Sequence, residues 1–212
     1  MKMRLPLLAG LFGFLLGIAA TGNAVAEAWA TLPQAQPTRN PAKVEVIEFF
    51  WYGCPHCYAA EPRVAAWLKK QPAEVEFVRV PAIFNARWAV LGRAYYAMQQ
   101  LKLGDKEHQA LFDAIHRDRK NLGDETSLAE FFATQGVPAE KFRAAFNDFD
   151  VDGKVRRANH MTSTYGLEGV PAFIVNGKYR VDGTLAGSEA AMFEALDKLV
   201  AQELKTLKKP KK

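Results

Sequence analysis

An α/β fold with an inserted all-helical subdomain is what this chain predicts, and three observations carry it. Two short β-branched and aromatic runs, Val44–Phe50 and Val75–Val80, bracket a helical pattern, the spacing of a parallel strand–helix–strand unit with a right-handed crossover. A long stretch of helical periodicity follows, from about Ala82 to Met161. Strand-like runs then return at Ala172–Val175 and Lys178–Val181, joined by Asn176-Gly177, the two-residue signature of a tight hairpin.

Taken in order, the chain begins with Lys2 and Arg4 ahead of an almost wholly apolar Leu5–Ala20, and Ala24-Val25-Ala26 reads as a small-x-small cleavage site. Residues 1–26 are therefore expected to be a cleaved signal peptide and 27–212 the mature chain. The apolar core is short for a membrane span, and no cysteine near the cleavage point suggests a lipid anchor. Export places the cysteines in an oxidising compartment. Pro33, Pro37 and Pro41 mark an extended lead-in of some 15 residues, too short to hold a dimerisation module before the first strand. Strand 44–50 leads into a helix from Cys54 to about Lys70, with Pro62 expected to kink it. Within the insertion the pattern predicts helices over Trp88–Leu101 and Lys106–Arg119. A third opens on a Ser127–Glu130 capping box, a fourth starts at Pro138, and a fifth covers Val151–Tyr165. Ser188 caps a final helix to about Leu204.

The formal charge of +5 comes from the ends. The leader carries two bases and no acids, and Lys205–Lys212 holds five lysines and no acids. The remaining body has 21 basic against 23 acidic residues, so no nucleic-acid footprint is present. The lysine tail reads as a solvated end.

Only two cysteines occur, as Cys54-Pro55-His56-Cys57 at a strand-to-helix turn. A zinc site needs further ligands, and His108, His116 and His160 form no ligand pair at zinc spacing. Haem attachment wants a histidine after the second cysteine, where Tyr58 stands. A purely structural bridge closing so small a ring stabilises little. Reversible disulfide exchange is the remaining reading. Pro55 suits the first helical turn. The unpaired N–H groups there favour a thiolate on the first sulfur, and His56 in the same turn adds to this. Stabilising the dithiol form makes the disulfide a stronger oxidant. His108 and His116 read as solvent-facing or half-buried helix positions without a role. The aromatic run Phe49-Phe50-Trp51-Tyr52 divides between core and a substrate-facing surface.

The Cys54–Cys57 motif after Ile47-Glu48-Phe49-Phe50, together with Gly169-Val170-Pro171-Ala172-Phe173-Ile174-Val175-Asn176-Gly177-Lys178-Tyr179, resembles the DsbA family of bacterial periplasmic thiol:disulfide oxidoreductases. The resemblance runs from about Ala42 to the C-terminal helix. It implies a thioredoxin-like fold with the helical insertion at about 82–161. It implies Cys54 as the exposed nucleophile, Cys57 as the buried resolving thiol, and His56 as the residue tuning the thiolate. Pro171 would be a cis-proline facing the disulfide, with the Val170 backbone pairing with an extended substrate. Glu48 would lie beneath the buried thiol and help move its proton, a role that suits a buried, unpaired carboxylate of raised pKa. The alternative for Glu48 is an outward-facing residue on an edge strand, as Glu45 could also be. The resemblance further implies a monomer in the periplasm that needs no metal or organic cofactor. Its substrates would be reduced, unfolded exported proteins, and a DsbB-like, quinone-linked membrane oxidase would regenerate it. Two other readings stay open: a disulfide isomerase or reductase, and a peptide-binding chaperone whose redox centre is incidental.

Overall fold

The computed structural model describes residues 27–207. The signal-peptide reading and most of the lysine tail fall outside these residues. The core is a mixed sheet in the order β1 (Ala30–Thr31), β5 (Tyr179–Asp182), β4 (Ala172–Val175), β2 (Val44–Phe50) and β3 (Val75–Pro81). Strand β2 pairs in parallel with β3 and antiparallel with β4, which in turn pairs antiparallel with β5. A strand flanked on both sides and covered on both faces reads as one apolar run, and every residue of β2 is buried.

Alternation along the strands separates two apolar layers. Val44, Val46, Phe173 and Val175 pack with Val64 and Trp67 of α1 (Pro55–Leu68) and with Leu196 and Leu199 of α8 (Glu189–Leu207). Ile47, Phe49, Ala172 and Ile174 belong instead to the larger cluster shared with the insertion. The insertion comprises α2 (Ala86–Gln100), α3 (Asp105–His116), α4 (Glu125–Thr134), α5 (Ala139–Phe146) and α6 (Phe149–Thr164). Its last helix therefore runs beyond the expected limit at Met161.

Local chemistry explains most of the boundaries. Asn85 caps α2 by accepting from the N–H groups of Arg87 and Trp88. Asn176 and Gly177 sit at φ 50° and 65°, the left-handed pair a tight hairpin needs. A Cβ on Gly177 would fall 2.1 Å from the Gln36 carbonyl oxygen, so glycine also lets the lead-in pass close by. Helix α1 continues through Pro62, which has no N–H to donate to the Tyr58 carbonyl.

Three expectations need correction. The cap of α4 is Asp124, whose side chain accepts from the Ser127 N–H at 2.9 Å, so Ser127 lies inside the helix and does not open it. The lead-in contains a strand, β1 (Ala30–Thr31), paired antiparallel with β5. A short helix, α7 (Gly183–Ala186), separates β5 from α8. Among the described residues no helix is long and apolar enough to cross a membrane.

Candidate active site

Cys54 is the N-cap of α1, with Pro55 at the first helical position. Its sulfur accepts from the Cys57 N–H at 3.4 Å and donates to the Val170 carbonyl at 3.4 Å. The Val170–Pro171 bond is cis, so the two motifs that are far apart in sequence meet at one sulfur. Cys54 retains 8 % of its surface and Cys57 none. The order of access matches expectation, but the first thiol is seen through a narrow window and is not broadly exposed. Both cysteines are in the dithiol form.

The two thiols are held far apart in acidity. Cys54 is lowered to about 6, chiefly by the hydrogen bond from the Cys57 thiol, against burial, with the backbone N–H groups of Cys57 and His56 adding to it. The charge of His56 comes after these, so helix geometry outranks His56 as the source. His56 and Pro55 are both exposed. Cys57 is pushed well above its ordinary value, first by burial and then by its hydrogen bond to Cys54.

Glu48 is fully buried on a central strand, which rules out the outward-facing edge position. Glu45 is buried as well, accepting from the Arg39 N–H. Glu48 is not an unpaired carboxylate: its Oε2 accepts from Arg79 Nε at 3.1 Å, while Oε1 has no hydrogen-bond partner among the described residues. Burial still raises it to about 7 against the pull of Arg79. Its charge in turn raises Cys57.

Arg79 also donates to Glu61 Oε2 at 3.1 Å and Asp105 Oδ1 at 3.4 Å. Glu61 Oε1 lies 3.3 Å from His108 Nε2, and His108 Nδ1 lies 2.6 Å from the Tyr52 hydroxyl. Burial lowers His108 below its ordinary value. A carboxylate only accepts, so a neutral His108 carries its proton on Nε2, and Nδ1 accepts the hydrogen bond that the Tyr52 hydroxyl donates. Arg79, Glu61, His108 and Tyr52 were not singled out from sequence as site residues, and His108 is neither solvent-facing nor half-buried. One signal was available: Glu48 and Arg79, charged interruptions of two apolar strands, are direct register partners. Of the aromatic run, Phe49, Phe50 and Tyr52 are core. Trp51 alone is partly exposed, stacked on Trp88 at 4.1 Å.

A groove of about 720 Å³ opens beside the pair, lined among others by His56, Ala59, Ala60, Val170, Pro171 and Met192. Its lining combines apolar side chains with polar and charged ones such as Glu168, Arg180 and Asp182.

The pH dependence of Glu48 follows from its shift. The folded state holds the proton to about 7, whereas an unfolded glutamate releases it near 4.5. Between these values the native state binds more protons, so the stability Glu48 contributes falls as pH rises and is lowest above 7. Glu48→Gln is expected to abolish this pH dependence, so that its stability relative to the native protein rises between pH 4 and pH 8. Denaturant unfolding at the two pH values measures the difference.

A parallel strand–helix–strand unit with two thiols of opposed acidity at the helix N-terminus, facing a cis-proline, defines a thioredoxin-like thiol:disulfide oxidoreductase. The profile described as DSBA-like thioredoxin domain matches residues 74–199. Thiol:disulfide interchange protein DsbA of Pseudomonas aeruginosa is 38 % identical, with 95 % of each chain covered. The protein of the same name from Azotobacter vinelandii is 39 % identical, covering 93 % of this chain and 94 % of that one. The crystal structure of Pseudomonas aeruginosa DsbA superposes with a TM-score of 0.82 at 39 % identity, over 86 % of this chain and 95 % of that one. The chain belongs to the DsbA family.

Proposed function

We propose that the protein, as a monomer in the periplasm, donates a Cys54–Cys57 disulfide to reduced, unfolded proteins newly exported there, and that a DsbB-like, quinone-linked membrane oxidase regenerates it. The observation that carries the direction of transfer is the lowered Cys54 thiol, at about 6. Above that pH the dithiol state gains the stability of a hydrogen-bonded thiolate that the disulfide lacks. The disulfide is correspondingly easy to reduce.

In the forward reaction a substrate thiolate attacks Cys54 Sγ. The intramolecular S–S bond breaks and Cys57 leaves as a thiolate. Cys57 is a strong base in its buried site, so it must take up a proton, and Glu48, titrating near 7 with a free Oε1, is suited to hold one nearby. A second substrate thiolate attacks the substrate sulfur of the mixed disulfide, and Cys54 departs as a stable thiolate. Two electrons have then moved from the substrate to the pair. The groove beside Val170 and Pro171 offers backbone and apolar wall to an extended substrate segment.

The test mixes the oxidised protein with an equimolar reduced, unfolded test protein and, separately, with a scrambled one. Rapid stoichiometric loss of substrate thiols, leaving the Cys54–Cys57 pair as a dithiol, is the expected result. Slow oxidation together with fast rearrangement of the scrambled protein would assign the isomerase reading instead.

A further inference from the structure

The turn that delivers Cys54 is held from the insertion. The Cys54 N–H donates to the Trp51 carbonyl at 2.9 Å, closing a four-residue turn with Tyr52 and Gly53 at its centre. In such a turn the central peptide is the soft element. Flipping it carries the third residue to positive φ, which glycine accepts without steric cost. Gly53 is not in the left-handed region, so the turn occupies the other state. Glycine is required here on separate grounds, because a Cβ on Gly53 would lie 2.4 Å from the Trp51 ring. The position that must be glycine therefore leaves the Tyr52–Gly53 peptide free to flip unless something else holds it.

His116 Nε2 lies 2.8 Å from the Tyr52 carbonyl, the oxygen of that peptide. A carbonyl only accepts, so Nε2 carries the proton. The His116 ring is itself fixed, stacked on Tyr58 at 4.9 Å and 12°. Tyr58 in turn donates to Asp113 of the same helix at 3.0 Å. His108, two helical turns before His116 on the same face of α3, binds the hydroxyl of the same tyrosine at 2.6 Å. Tyr52 is thus held at both its backbone and its phenol by one helix of the insertion.

We infer that His116 is a positioning residue whose Nε2–H locks the Tyr52–Gly53 peptide, with His108 holding the ring of Tyr52. The lock fixes where Cys54 Sγ sits against the α1 N–H groups and the Val170 carbonyl. The inserted helix thereby sets the acidity of a thiol carried by the thioredoxin-like part. This inference rests on the reading of Cys54 as the reacting thiol.

The test compares His116→Phe, which keeps the stacking and removes the donor, with His116→Gln, which restores an N–H. Cys54 is titrated by thiolate absorbance and the pair is equilibrated with glutathione. The expected result is a loss of about fivefold in thiolate stabilisation for His116→Phe, the scale of one hydrogen bond, with most of it recovered in His116→Gln. A folded His116→Phe protein with wild-type titration and equilibrium overturns the lock. A wild-type protein without a lowered Cys54 overturns instead the reading beneath it. Nitrogen NMR of wild-type His116 needs no variant: the Nε2–H tautomer supports the lock, and the Nδ1–H tautomer contradicts it.

Discussion

Cys54→Ser is expected to abolish disulfide transfer, reducing oxidation of a reduced test protein to the uncatalysed background. The variant should fold normally, because serine is an effective N-cap and loses little volume at a position already at the mouth of the site. The loss is complete because no other cysteine exists to form a disulfide with Cys57. The same variant separates the enzyme from a chaperone with an incidental redox centre. A chaperone keeps its protection against aggregation; an oxidase loses transfer entirely. Counting free thiols on the test protein over time, and following disulfide formation in cells, gives the answer. Full oxidation by the variant in cells contradicts the account.

The second large effect is structural. Arg79 is 14 % exposed at the side chain and pairs with Glu48 and Glu61, which are 0 % and 6 % exposed. Arg79→Met keeps an apolar stem and removes the guanidinium that bonds both carboxylates. Leaving buried charge without a partner costs about 3–5 kcal/mol, which for a chain of this size lowers the melting temperature by about 10 °C. The sign with pH is fixed. Arg79 holds Glu48 down, so its removal raises Glu48 above the present value of about 7. Below about 7 both folded proteins hold the Glu48 proton, so the deficit due to Glu48 opens only above 7, where the native protein has released a proton that the variant retains, and it grows as pH rises further. Denaturant unfolding at pH 6 and pH 9 should show the smaller loss at the first and the larger at the second. Equal losses would mean that packing, such as the Arg79 contact over Phe77 at 5.4 Å, carries the effect.

What was legible in the chain is what is encoded locally. The bounds of strands 44–50 and 172–175, the proline in the first turn of α1 and the Asn176-Gly177 turn depend on residues adjacent in sequence. The cysteine pair was legible for the same reason. Strand β1 was not, since two residues become a strand only when β5 arrives to pair with them. The Asp124 cap was missed because Ser127 offered a competing signal three residues on. The polar network was hidden for a stronger reason. Glu61 and His108 are 47 positions apart, and Tyr52 and His108 are 56 apart, so only the docking of α3 brings them together. The charge of Glu48 was readable, but its partner was set by strand register, which places Arg79 opposite it.

The most direct measurement is the redox equilibrium of the protein in glutathione buffers, followed by tryptophan fluorescence from Trp51, which adjoins the motif and stacks on Trp88. The account predicts that the pair stays reduced even in strongly oxidising buffer, because the Cys54 thiolate stabilises the dithiol. A pair that remains oxidised until the buffer reaches a thioredoxin-like reducing poise would contradict it and assign the protein to reduction.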